Sequence, residues 1–156
     1  MQPASRFHKG FLIVSMVLFG LSLTQQAYCT QADCADSIMV LILGWWAMLS
    51  GGAGLCWLAN PLLVACWLSF DKKPKQAMFL AAAAFLLAFF FLLANQVVAD
   101  ENGNSRVITG RKAGYWLWLA SHFTMLAGTY IAMYKVNLER RKAFLQQQAE
   151  QRDYLH

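Results

Sequence analysis

The sequence predicts an all-α protein: a polytopic four-helix transmembrane bundle with a long kinked or tilted second helix and a cytoplasmic helical C-terminal extension. Three observations predict it. Of 156 residues, 58% are hydrophobic and 13% charged, against about 25% charged in an ordinary soluble domain. The charges are segregated, and residues 10–32, 37–70, 76–99 and 113–134 contain none. A hydrocarbon core takes about 20 apolar residues per helix, so each run is a candidate crossing. The net charge of +5 gathers at the ends of these runs. That placement argues against nucleic acid and for orientation at a bilayer. So little charge also argues against a typical soluble enzyme and against a disordered chain. No repeat or linker divides the chain, and 1–156 is expected to form a single domain.

The first run, 10–24, follows Arg6, His8 and Lys9. It has the shape of a signal peptide with small residues near Thr30 and Ala32, but is taken as a short first span. The second run, 37–70, has 34 uncharged residues, about 51 Å as a straight helix against a core of roughly 30 Å. A single crossing puts Arg6, Lys9, Lys72, Lys73, Lys75, Lys135, Arg140, Arg141, Lys142 and Arg152 on one side. Arg106, Arg111 and Lys112 are left on the other. The positive-inside rule then predicts a multi-pass inner (plasma) membrane protein with both termini cytoplasmic. Asn60-Pro61 and the glycines at 51, 52 and 54 weaken the helix, so a kink or tilt is expected, with a re-entrant or broken helix as the minority reading. The third run, 76–99, is rich in Ala and Phe. Residues 100–105 form a solvated turn. The fourth, 114–134, opens on an interfacial aromatic cluster, Tyr115, Trp116 and Trp118. The polar tail from Lys135 is expected to prolong that helix.

Helices in lipid associate through small residues and polar contacts. Gly44, Ala47, Gly51 and Gly54 share one face of the second run. Ala77, Ala81, Ala84 and Ala88 share a face of the third. In the fourth, Gly114, Trp118, Ser121, Met125, Gly128 and Ala132 form a seam. These faces predict helix packing, and they name as partners the lipid bilayer and a membrane protein or a second copy of the chain.

Chemistry-bearing residues are few. Cys29 and Cys34 share one short outer loop, where an oxidising compartment permits a disulfide; free thiols and a catalytic pair are the other readings. Cys56 and Cys66 are read as packing. The length, four spans, inward termini and loop cysteines resemble the bacterial quinone-linked disulfide-generating membrane enzymes. The resemblance is architectural. That family carries a Cys-x-x-Cys pair in its first outer loop and a second pair in the next, whereas Cys29 and Cys34 are wider apart and 100–113 contain no cysteine. It implies a thiol–disulfide/quinone oxidoreductase as the enzymatic alternative. His122 is the one ionisable side chain inside a span, a functional candidate by default. With Tyr115, Thr129, Asn60 and Asn95 it makes a candidate buried polar cluster that relays a proton, holds a lipid or quinone headgroup, or serves as packing glue. No spacing matches a metal site, a phosphate loop or a nucleophilic triad, so no metal, cofactor or catalytic residue is expected. The function expected is a structural or accessory subunit acting through helix packing, with a transporter or channel component in an oligomer as a further alternative.

Overall fold

The computed structural model describes residues 4–49, 51–98 and 104–153. The solvated turn expected at 100–105 therefore lies mostly outside the described residues. The chain runs α1 (Ala4–Leu23), β1 (Gln26–Thr30), β2 (Cys34–Asp36) and α2 (Ser37–Leu49). A 3₁₀ segment (Gly52–Leu58), α3 (Ala59–Ser69) and α4 (Pro74–Phe90) follow, then β3 (Gln96–Val98), β4 (Ser105–Arg111) and α5 (Ala113–Asp153). The protein is mostly helical with an antiparallel four-stranded sheet in the order β2-β1-β4-β3.

The sheet lies at one end of the helices. It is built from the two connections that leave α1 and α4 and lead into α2 and α5. Gln25 O accepts from Ser37 N (3.1 Å), and Ala27 O accepts from Lys112 N (2.8 Å), so the strands tie the ends of four helices together. The opposite end holds the tight turn between α3 and α4. There Pro74 opens α4, where a missing N–H costs nothing because the first turn has no intrahelical acceptor for it.

This architecture corrects the all-α four-span bundle in two ways. First, the sheet exists. Its strands are three to seven residues long and pair across the chain, Tyr28 with Arg111 and Cys29 with Gly110. Such pairing leaves no local periodicity to detect. Second, among the described residues one helical stretch, Gly52–Ser69, is long and apolar enough to cross a membrane. With seven residues at about 2.0 Å and eleven at about 1.5 Å it spans roughly 30 Å. The apolar helices Lys9–Leu23, Ser37–Leu49 and Pro74–Phe90 are shorter, roughly 20–26 Å at 1.5 Å per residue. A bundle of four crossings is not supported, and with it falls the multi-pass topology.

The run 37–70 is not one long kinked or tilted helix. α2 ends at Leu49, and the backbone takes positive φ at Gly51 (+74°) and Gly52 (+57°), a conformation side chains rarely adopt. The 3₁₀ segment then folds back along α2. Trp57 Nε1 donates to Leu41 O (2.9 Å), and Gly44 lies under the Trp57 ring. Gly54 sits against the Ala47 carbonyl, with no room for a Cβ. The break thus falls at the glycines and not at Asn60-Pro61. Pro61 stands in the first turn of α3, where its missing N–H costs little, and Trp57 O, which accepts a backbone N–H at the end of the 3₁₀ segment, accepts also from Asn60 Nδ2 (3.0 Å).

The core is made of small side chains. Ala77, Ala81, Ala84 and Ala88 of α4 are 0–1% exposed, and the first three form one cluster with Leu63, Cys66, Phe70 and Met125. Phe11 of α1 packs directly over Gly128 of α5, so these two antiparallel helices approach closely.

Candidate functional site

Two polar nodes lie inside the helices, and neither matches the expected cluster in full. In the first, Asn60 and His122 meet through Trp118. Trp118 Nε1 donates to Asn60 Oδ1 (2.8 Å), and the Trp118 and His122 rings stand edge to face, centroids 4.7 Å apart. His122 is fully buried. Its Nδ1 faces Trp118 O at 2.8 Å and its Nε2 faces Ala59 O at 3.3 Å. A neutral imidazole has one N–H, so it donates to one of these two carbonyls and not to both. A proton on Nδ1 closes a bond within α5, and a proton on Nε2 joins α5 to the start of α3. A proton relay needs a second titratable group, and no carboxylate is hydrogen-bonded to His122 among the described residues.

The other members of the expected cluster go elsewhere. Tyr115 donates to Ala88 O (3.1 Å) and touches the Trp118 ring, so it flanks the node from the α4 side. Thr129 is buried lower in α5 and bonds to Met125 O (3.0 Å) and Leu126 O (2.9 Å). Asn95 is exposed in the turn after α4, where its carbonyl accepts from Ile108 N (2.9 Å).

The second node was not read from the sequence. Ser15 and Ser121, both fully buried, clasp α1 to α5. Ser121 Oγ donates to Ser15 O (2.9 Å), Ser15 Oγ lies 3.1 Å from Ser121 O and Oγ, and Trp67 Nε1 donates to Ser15 Oγ (3.1 Å). A hydroxyl at Ser15, amid large apolar residues of the run 10–24, was the available signal. Of the other residues assigned to helix packing, Gly114 sits against Ser37 Oγ and Gln26 O. Gly44, Ala47, Gly51 and Gly54 shape the hairpin of α2 with the 3₁₀ segment, a contact within one run and not between runs.

Arg111 was also missed. From the end of β4 its Nη2 reaches the carbonyls of Phe91 (3.0 Å), Leu92 (2.6 Å) and Ala94 (2.8 Å). These lie just beyond the C-terminus of α4, where a cation complements the helix dipole and the free carbonyls. The guanidinium also lies 5.9 Å from the Phe91 and Tyr115 ring centroids. On β1, burial raises the Tyr28 phenol above its ordinary pKa of 10.0.

The cysteines divide as two and two. Cys29 and Cys34 form a disulfide across register partners of β1 and β2. Cys56 and Cys66 are free and buried, and Cys66 donates to Ala77 O (3.2 Å). No group of His, Cys, Asp or Glu able to hold a metal ion occurs among the described residues.

The chain matches no family model, no curated protein and no solved structure. Function therefore has to be argued from the geometry.

Proposed function

We propose that the chain is a membrane-associated structural or accessory protein that acts by packing its apolar helix faces against membrane partners. The observation that carries this reading is the inversion of side-chain size. Leu68, Phe79 and Leu86 are 75%, 76% and 65% exposed, while the four alanines of α4 and Ser15, Ser121 and Cys66 are buried beside Leu63 and Met125. In water the gain from burying large apolar groups drives them inward, at roughly 25 cal/mol per Å². Large exposed apolar patches mark a protein or membrane contact. In lipid that drive is absent, and small residues face the helix contacts instead. The basic residues 72, 73 and 75 and the tail of α5 lie at the end away from the sheet, toward anionic headgroups in this reading.

The test is alkaline extraction of membranes, combined with a photo-cross-linking residue placed at Phe79 or Leu86. Retention in the membrane pellet and a discrete protein adduct are expected. Release into the supernatant overturns the membrane reading, and adducts to lipid alone overturn the partner. The Cys29–Cys34 disulfide supports a second reading, thiol–disulfide exchange with a partner protein. Equal oxidation of an added reduced dithiol protein by wild-type and Cys29→Ser membranes would dismiss it.

A further inference from the structure

Between the α2 hairpin, β1, the end of α4 and the start of α5 lies a cavity of about 820 Å³, within the roughly 300–1,000 Å³ usual for small-molecule sites. None of the residues lining it is Asp, Glu, Lys, Arg or His. A charged guest would lose its hydration there with no counter-charge, a cost that a neutral guest escapes. The walls are aromatic: Tyr28, Trp46, Trp57, Phe91, Tyr115 and Trp118 all face it. Ring faces and edges favour a ring-bearing guest through offset and edge-to-face contacts.

Its hydrogen-bonding capacity is small and localised. Asn60 lines the cavity and is 9% exposed. One of its two amide hydrogens is taken by Trp57 O and one lone pair of its oxygen by Trp118 Nε1, which leaves one donor and one acceptor position. The hydroxyls of Tyr28, Tyr115, Ser22 and Ser37 also line the wall; Tyr115 is spent on Ala88 O and Ser22 on Phe19 O, and Ser37 Oγ has no hydrogen-bond partner among the described residues. His122 stands behind Trp118 and does not line the cavity. The rim carries exposed apolar side chains of α2, Met39, Leu43 and Leu49, so the mouth admits a lipophile.

We propose that this cavity binds a neutral, ring-bearing lipophile with a carbonyl or hydroxyl group, its ring against the aromatic wall and its polar group toward Asn60 and Tyr28. The inference does not need the partner reading above, because its probe is presented to the purified full chain.

The probe is benzophenone, a neutral diaryl ketone that quenches tryptophan and forms photoadducts. Saturable quenching is expected, with adducts on α2, the 3₁₀ segment and the first turns of α5. Diphenylmethane, which keeps both rings and lacks the carbonyl, should compete about tenfold more weakly, the worth of one hydrogen bond. The carboxylate analogue 4-benzoylbenzoate should compete at least tenfold more weakly than benzophenone. Ala53→Phe, which fills space at the wall, should abolish saturable quenching while circular dichroism stays native. If that variant fails to fold, the wild-type adduct map decides. Non-saturable quenching, adducts spread over outward residues such as Phe79 and Leu86, or equal competition by the carboxylate would overturn the proposal.

Discussion

Replacing Asn60 by Leu tests whether one amide ties Trp57 to Trp118 at the start of α3. Leu keeps much of the volume and removes both bonds. Trp57 O then keeps its backbone donor and loses its side-chain donor, a loss of about 1 kcal/mol for a typical net hydrogen bond. Trp118 Nε1 is left without its acceptor in a half-buried position, which costs a further ~1–3 kcal/mol. The single substitution should therefore destabilise by roughly 2–4 kcal/mol on these figures. In a Trp118→Phe background the orphaned N–H is gone, so the same substitution should cost only about 1 kcal/mol. The assay is reversible denaturant unfolding of the four proteins of the cycle, followed by circular dichroism and tryptophan emission. Independent sites add within about 0.3–0.5 kcal/mol. Additivity of Asn60→Leu and Trp118→Phe within that margin would refute the reasoning.

Three further outcomes follow from the same contacts. Gly128→Ala places a Cβ 2.6 Å from Phe11 Cβ, whereas a Cβ at Gly20 meets nothing within 4 Å. Thermal unfolding should therefore find Gly128→Ala destabilised by about 1–3 kcal/mol through overpacking, and Gly20→Ala stabilised by up to ~1 kcal/mol through helix propensity. Arg111→Leu removes the cation from three carbonyls that share the two Nη2 hydrogens, a hydrogen bond to a charged group being worth about 1.5–3 kcal/mol. Amide exchange should accelerate across 87–98, with Arg111→Lys, which keeps charge but not the planar fork, falling between. Reducing Cys29–Cys34 opens a small ring whose closure restricts the unfolded chain by about 2 kcal/mol. Exchange should rise in β1 and β2 on reduction while α3 and α4 stay protected, and a global loss of protection would contradict the local role.

The amino-acid sequence by itself determined that apolar helices dominate, that charge gathers at their ends, and that Ala77, Ala81, Ala84 and Ala88 share a face. It also put Cys29 and Cys34 within reach of each other. These are properties of composition and of spacings under eight residues, which helical geometry converts directly into faces. Tertiary structure alone decided the rest. The sheet joins residues 26–30 to 105–111, a pairing across some 80 positions that no local pattern encodes. The break in 37–70 went to Gly51 and Gly52 because Trp57 and Gly54 find partners on α2 when the chain reverses there. Pro61 was then free to sit in a first turn, where its missing N–H costs little. Ser15 and Ser121, and Asn60 and Trp118, met because buried polar groups must find partners wherever the helices bring them together.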